Sequence, residues 1–112
     1  MSKFIVKKTK GSKKVFKGGM VRGLDESKPN FTLLHYPMLK RWAEHMTKGA
    51  VHYGKRNWMK AEGQEELERF QESALRHMFQ WLNGEVDEDH ASAVFFNITG
   101  AEFVKEKLNG SK

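Results

Sequence analysis

Two apolar repeats at helical spacing, separated by Asn83-Gly84, constrain the fold of this chain more than any other feature. The repeat before this dipeptide consists of Leu67, Phe70, Ala74, Leu75, Met78, Trp81 and Leu82. The repeat after it consists of Ala91, Val94, Phe95, Ile98, Ala101 and Leu108. Residues that recur every three or four positions form one face of a helix, and Asn-Gly is a common helix stop. The sequence therefore predicts two antiparallel helices, one over 64–83 and one that begins near 87–89.

A further helix is expected earlier in the chain. It begins near Tyr36-Pro37, because proline suits the first turn of a helix. Its apolar face consists of Leu39, Trp42, Ala43 and Met46. We expect Gly49 to end or interrupt this helix. The connection over 50–59 is then partly helical, with Gly54 a candidate for positive φ.

Composition limits the class of protein. At 112 residues and 38% hydrophobic content, the chain can form one domain with a modest core. Trp42 and Trp81 lie on predicted apolar faces, and we expect both in that core. No apolar run approaches the roughly 18 residues of a membrane span, and no cysteine is present for a disulfide. We therefore expect a soluble cytoplasmic protein with no membrane partner.

Positive charge is concentrated at the N-terminus. Residues 1–30 contain nine Lys or Arg against two acids, whereas the remainder contains eleven against twelve. Two short β-prone runs, 3–7 and 13–17, lie on either side of Lys10-Gly11-Ser12, which predicts a marginal hairpin. Such a basic arm could bind nucleic acid or nucleotide phosphates. A merely solvated arm is the more common outcome.

The turn between the last two helices is crowded with ionisable residues. Its carboxylates are Glu85, Asp87, Glu88 and Asp89, and His77 and His90 flank them. Carboxylates and imidazoles that converge from two antiparallel helices are suitable ligands for a divalent cation. The same composition is also typical of a solvated helix junction, so the pattern leaves both interpretations open.

Several short fragments occur along the chain in a characteristic order and spacing. The fragments are Lys28-Pro29 with Leu33-Leu34, Gly49-Ala50, Tyr53-Gly54, Asn57-Trp58, Ser73-Ala74-Leu75-Arg76-His77, and Gly84-Glu85 with Asp87, His90 and Asn97. Together, over roughly residues 22–108, they resemble a known family, the dATP/dGTP diphosphohydrolases of phages and bacteria. The family is grouped with the all-α, MazG-like nucleoside triphosphate pyrophosphohydrolases.

The resemblance implies both a fold and an activity. The fold is mainly α, a small MazG-like helical bundle with a short β-prone N-terminal arm. The domains are an arm over 1–24, a helical domain over 25–108 and a tail over 109–112. The activity is metal-dependent hydrolysis of a purine dNTP to dNMP and pyrophosphate in phage nucleotide metabolism, in the host cytoplasm. The expected cofactor is Mg²⁺, with Mn²⁺ as the alternative, and the expected assembly is a homo-oligomer.

The resemblance also suggests metal ligands. Mg²⁺ takes one or two carboxylates plus waters and substrate phosphates. The candidates are Glu68, Glu72, Glu85, Asp87 and Asp89. Relatives in the wider group use E-E-x-x-E on one helix and E-x-x-D on the next. Here the acids of the first helix have a different spacing, and Glu85-Val86-Asp87 is one residue shorter than the second motif.

Catalytic and substrate-binding roles follow from the same resemblance. We expect catalytic roles for Glu72, His77 and Glu85. The expected substrate-binding residues are Lys55, Arg56, Asn57, Trp58, Arg76, His90 and Asn97. Cations after Gly54 can bind a triphosphate, and Tyr53 or Trp58 can stack on a base. Tyr53 and Trp58 are alternatively core anchors, which for Trp58 is the more common role, and a histidine at a stripe edge such as His77 is often structural.

Three functions remain open from sequence alone. The leading one is the dNTP pyrophosphohydrolase. The second is a non-enzymatic protein that uses its basic arm to bind nucleotides or nucleic acid. The third is a member of the family that binds nucleotides without cleaving them, an option raised by the altered acid spacing.

Overall fold

A computed structural model describes residues 12–24 and 28–110 of the chain. These residues fall into two compact units that divide between Leu34 and His35. The described part of the first unit contains a β-hairpin and a short 3-10 turn. The second unit contains three helices. The architecture is mainly α with a short two-stranded antiparallel sheet near the N-terminus, so the predicted fold class is confirmed.

The hairpin of the first unit pairs β1 (Ser12–Val15) with β2 (Val21–Leu24). Its turn is closed by the amide of Phe16, which donates to the Met20 carbonyl at 2.7 Å. Gly19 adopts a φ of 91°, a conformation that favours glycine. The run 13–17 therefore pairs with a later strand. Its predicted partner, 3–7, lies outside the described residues.

The second unit consists of α1 (Tyr36–Tyr53), α2 (Gln64–Leu82) and α3 (His90–Leu108). Helix α3 packs against both α1 and α2, and it also contacts the 3-10 turn Asn57–Lys60 that connects them. Helix α2 agrees closely with the predicted span, and α3 begins just after the predicted acids. Because α3 touches every other element of this unit, its residues determine where the core lies.

The prediction that Gly49 ends or interrupts the first helix is wrong. Helix α1 continues to Tyr53 and stops at Gly54, which has a φ of 90° and donates its amide to the Ala50 carbonyl at 2.8 Å. A glycine inside a helix costs only about 1 kcal/mol relative to alanine, so the rest of the helix can tolerate it. The predicted positive φ at Gly54 is confirmed.

The core of the second unit is small and aromatic. Leu67 of α2 and Val104 of α3 are buried together with Ala61 and Ala101, and Phe70 packs against this cluster. The aromatic rings around it meet edge to face at centroid distances of 5.1 to 6.1 Å: Phe70 with Phe96, and Trp58 with both Phe96 and Phe103. Such contacts contribute beyond their area of burial.

Several residues of the predicted apolar faces are instead substantially exposed. On α3, Phe95, Ile98 and Leu108 have exposed fractions of 41%, 49% and 45%. On α2, Leu75, Trp81 and Leu82 are each more than half exposed. The buried residues of α3 are mostly small or polar: His90, Ser92, Ala93, Val94, Asn97, Gly100, Ala101 and Val104. Because α3 packs against helices on two sides, close approach requires small residues there, and the large ones are displaced outward.

Within the described residues, none of the helices combines the length and apolarity required to cross a bilayer.

The two helical glycines provide a direct test of this packing. A Cβ added at Gly49 meets no atom within 4 Å, whereas one added at Gly100 lies 2.5 Å from Cε1 of Phe70. Gly49→Ala should therefore raise the free energy of unfolding by about 0.4–1 kcal/mol. Gly100→Ala should lower it by about 1–3 kcal/mol through overpacking. Urea denaturation of both variants measures this, and equal effects of the two changes would contradict the packing described.

Candidate functional site

The turn between α2 and α3 brings two histidines together. Gly84, at a φ of 77°, reverses the chain after α2. This reversal places Nδ1 of His77 2.8 Å from Nδ1 of His90, and the two ring centroids are 5.1 Å apart. The His90 side chain is almost fully buried, at 1% exposed. The predicted convergence of two imidazoles at this turn is therefore present.

Asp87 fixes the orientation of the buried ring. Its Oδ1 lies 2.7 Å from Nε2 of His90. A carboxylate can only accept, so Nε2 of His90 carries a proton and donates it to Asp87. Two N–H groups cannot face each other, so the two Nδ1 atoms of His77 and His90 share a single proton. The three side chains form one line of hydrogen bonds.

The electrostatics of this line agree with its geometry. Burial holds the pKa of His77 below its ordinary value, which favours the neutral ring. The hydrogen bond from His90 lowers the pKa of Asp87, which keeps that carboxylate ionised. Near neutral pH the line therefore ends in a negative charge at the surface.

Two overlapping groups of side chains here could hold a metal ion. One consists of His77, Glu88 and His90, and the other of Glu85, Asp87 and His90. Within each group the ligand atoms lie no more than 4.8 Å apart. Carboxylate oxygens suit Mg²⁺ and Mn²⁺, and imidazole nitrogens suit the later transition metals. The donor set therefore fits a divalent cation.

Asp89 forms a different kind of contact. Its two oxygens accept from Nε and Nη2 of Arg41 at 2.9 and 2.7 Å. They also accept from the backbone amide and hydroxyl of Ser92, at 3.1 and 2.9 Å, so Asp89 is the N-cap of α3. The pKa of Asp89 is strongly lowered, chiefly by the hydrogen bond from Arg41. With its oxygens engaged by four donors, Asp89 joins the start of α3 to α1.

Three other predicted residues on α2, namely Glu68, Glu72 and Arg76, lie apart from these groups. Glu68 is exposed and accepts from Gln64 at 3.0 Å, and Glu72 is exposed beside Arg76 at 3.9 Å. Neither glutamate belongs to a metal-ligating group among the described residues. Arg76 lines a separate shallow cavity of about 580 Å³, and Glu85 does as well.

A large open cavity lies between α1, the α1–α2 connection and the start of α3. Its volume is about 1430 Å³. Seven of the predicted site residues line it: Lys55, Arg56, Asn57, Trp58, Asp87, Asp89 and Asn97. This space exceeds the several hundred Å³ typical of small-molecule pockets. The α1–α2 connection and the α2–α3 turn, separated by a whole helix in sequence, thus face the same cavity.

The α1–α2 connection presents two cations to this cavity. Arg56 adopts the left-handed conformation, at a φ of 59°, and the carbonyl of Gly54 accepts from the amide of Asn57 at 3.3 Å. This tight turn leaves Lys55 and Arg56 exposed at the cavity wall. A left-handed arginine is uncommon and costs about 1 kcal/mol or more, a strain that clusters at functional sites.

The aromatic residues at this connection differ in their exposure to solvent. Trp58 is half-buried and packs against Phe96 and Phe103, so it is a core anchor that also reaches the cavity. Tyr53, which also lines the cavity, is 74% exposed. Asn97 is buried and donates from Nδ2 to the Ala93 carbonyl at 2.8 Å. Of the two aromatic residues, Tyr53 is the more accessible to a ligand.

Several cavity residues were missed by the sequence reasoning. The missed cations include Arg41, Lys48 and Arg69, and Glu88 was not chosen among the acids of the turn. The sequence around a charged residue on an amphipathic helix does not indicate which tertiary neighbour it will face. These cations therefore could not be assigned to the cavity from sequence alone. Glu88 lies between Asp87 and Asp89 and offers the same carboxylate oxygens, so the sequence pattern could also have identified it as a metal ligand.

The contact between Asp89 and Arg41 can be tested through stability. Asp89→Ala removes an N-cap and the partner of Arg41, and it should lower the free energy of unfolding by about 0.5–2 kcal/mol. Asp89→Asn retains a good N-cap while it removes the charge, so it should cost less. Thermal unfolding of both variants at neutral pH measures the difference. An Asn variant as destabilised as the Ala variant would show that the cap contributes nothing.

Comparison with known proteins gave one match. The family model described as dATP/dGTP diphosphohydrolase, N-terminal, matches residues 20–107. Neither a search of curated proteins nor a search of solved structures found a match. The matched span includes all of α1, α2 and almost all of α3, together with both halves of the cavity wall. The chain therefore belongs to the dATP/dGTP diphosphohydrolase N-terminal family.

Proposed function

We propose that this protein hydrolyses a purine dNTP, dATP or dGTP, to dNMP and pyrophosphate with a divalent cation. The family supports a nucleotide substrate and a diphosphohydrolase-related activity. One observation carries the proposal: exposed cations and the carboxylates of the α2–α3 turn line the same cavity. Phosphoanhydride hydrolysis needs both kinds of charge, because cations must offset the phosphates while a metal ion needs anionic ligands.

The triphosphate would bind at the α1–α2 connection. Lys55 and Arg56 extend from it, and Lys48 and Arg69 line the same space. Arginine forms paired hydrogen bonds with phosphate oxygens, and lysine contributes a compact charge. The left-handed backbone at Arg56 supports this role, since it holds the two neighbouring cations on one tight turn.

The base would stack on an exposed aromatic ring. Tyr53 lies one residue before the turn that carries the cations, and it lines the cavity. Stacking of a base on an aromatic ring contributes about 1–3 kcal/mol. Trp58 and Asn97 would form the inner wall, where they are held by their own packing.

The metal ion would be held by the turn. Asp87 and Glu88 each belong to a metal-ligating group and also line the cavity. Hydrolases of this kind usually use divalent metals, and a bound ion supplies charge neutralisation at the scissile phosphate. Glu85, the third member of the second group, lines the separate shallow cavity, so it would support the bound ion from the outer side of the turn and would not contact the substrate. Glu68 and Glu72 have no part in this proposal. His77 would act indirectly, because its hydrogen bond to His90 holds that ring in position.

The metal proposal can be tested by isosteric removal of the negative charges. Asp87→Asn and Glu88→Gln should each reduce kcat/KM for dGTP and dATP by at least about 10-fold, because each removes a ligand or its support. Pyrophosphate release at saturating Mg²⁺ measures the effect. Glu106→Gln, at an exposed position of α3 outside both metal-ligating groups, is the matched control and should behave like the wild type. Full activity in both turn variants would refute the assignment.

Self-association through α2 is part of the proposal. Leu75, Phe79 and Leu82 lie on one face of this helix and are each more than half exposed. Apolar residues that line up on a helix and that no other described residue covers are typical of subunit interfaces. A homo-oligomer formed there would cover this face and set a second copy beside Arg76 and Glu85, which line the adjoining shallow cavity.

The oligomer can be tested by a single charge on that face. Phe79→Glu should convert the assembly to a monomer, because a buried unpaired carboxylate costs several kcal/mol. Light scattering coupled to size-exclusion chromatography measures the mass. The control is Glu106→Gln, at an exposed position of α3 away from this face of α2. A wild-type protein that is monomeric at every concentration would contradict the proposal.

A further inference from the structure

We infer that His77, His90 and Glu88 form a binding site for a first-row transition-metal ion of the class that imidazole prefers, such as Zn²⁺ or Co²⁺. The inference deepens the proposed function, on which its catalytic meaning rests. Ion binding itself requires no substrate. The candidate ligand atoms are Nδ1 of each histidine and a carboxylate oxygen of Glu88, and the group lies within 4.8 Å.

The spacing of the two nitrogens suits a shared metal ion. They lie 2.8 Å apart. Two nitrogens bound to zinc at about 2.1 Å would lie about 3.0 Å apart at a right angle, and about 3.4 Å apart in a tetrahedron. A shift of a few tenths of an ångström therefore converts the hydrogen bond into a chelating pair. The ion would replace the one proton that the two rings share.

The partner of His90 is the kind found behind metal-bound histidines. Asp87 accepts from Nε2 of His90 at 2.7 Å, which leaves Nδ1 unprotonated in the neutral ring. A carboxylate behind a metal-bound imidazole fixes its tautomer and raises its basicity. Burial of His90 adds rigidity, since the ring is 1% exposed and cannot turn away from His77. The turn thus holds one ligand in position in advance.

The donor set distinguishes this ion from Mg²⁺. Mg²⁺ prefers oxygen ligands and dehydrates reluctantly, whereas imidazole binds zinc, cobalt and nickel well. With no cysteine in the chain, imidazole is the softest strong ligand available. Three protein ligands leave coordination positions open, as in catalytic rather than structural sites. Glu88 lines the cavity, so an open position there would be accessible to a phosphate oxygen.

The alternative is a structural pair of histidines that binds no ion. Such a pair would satisfy its hydrogen bonds in the same way, so only a binding measurement separates the two cases. Zn²⁺ should be titrated calorimetrically into the full chain in the presence of a 100-fold excess of Mg²⁺. Co²⁺ should be followed in parallel by its visible absorption. The variants are His77→Gln and Glu88→Gln, at positions that are not fully buried.

The matched control is His35→Gln. His35 is exposed and precedes α1 without forming a side-chain cap, so its loss removes a histidine without disturbing the cluster. We expect one saturating ion per chain in the wild type and in the control. Glu88→Gln should bind at least about 10-fold more weakly and His77→Gln at least about 100-fold more weakly. Nitrogen NMR should show the Nδ1 resonances of His77 and His90 shifting with Zn²⁺.

Three results would overturn the site: no saturable binding, displacement of Zn²⁺ by the Mg²⁺ excess, or unchanged affinity in both variants. Failure of the proposed function is distinguishable from these results. If the protein binds Zn²⁺ through His77 and His90 but cleaves no dNTP, the metal site stands and the hydrolase proposal fails. If it cleaves dNTPs with Mg²⁺ and binds no Zn²⁺, the reverse holds.

Discussion

The paired hydrogen bonds between Arg41 and Asp89 are the contact on which the candidate site depends. They join α1 to the first turn of α3, across 48 positions of sequence, while Asp89 also caps α3. The start of α3 is thereby held where Asp87 and Glu88 face the cavity. Without this contact, only the packing of α3 against α1 and of Trp58 against Phe96 and Phe103 would hold the turn's carboxylates relative to the cations after Gly54. A contact on the surface thus organises the interior of the site.

The ionisable residues of the α2–α3 turn face two directions. One short segment can therefore supply both buried and exposed donor atoms. His90 points inward, where burial and the hydrogen bonds to His77 and Asp87 hold it rigid. Asp87 and Glu88 reach the cavity, where a ligand can approach. Rigid nitrogen donors beside accessible oxygen donors are a suitable arrangement for a metal ion that must also meet a substrate. This arrangement agrees with the family, because a nucleotide diphosphohydrolase must bind highly charged phosphates.

Much of this fold could be predicted, and the failures share a cause. The apolar periodicity correctly located α2 and α3, and the positive φ predicted for Gly54 is confirmed. Gly49 was misjudged because helix propensity is weak compared with the rest of a long helix. Trp81 is predicted in the core, yet α2 has more apolar surface than the rest of the described residues cover. The convergence of His77 and His90 followed from the antiparallel pair, whereas the contact of Arg41 with Asp89 depends on tertiary packing that no local pattern encodes.

The most direct test of the central claim identifies the bond that is cleaved. Phosphorus NMR should follow dGTP and dATP incubated with the full chain and Mg²⁺, and then with Mn²⁺. Hydrolysis between the α and β phosphates predicts resonances of dNMP and pyrophosphate that appear together. Release of orthophosphate or of tripolyphosphate would place the cleavage elsewhere and contradict the proposal. No turnover of any dNTP with either ion would contradict it as well, and would leave a protein that binds nucleotides without cleaving them.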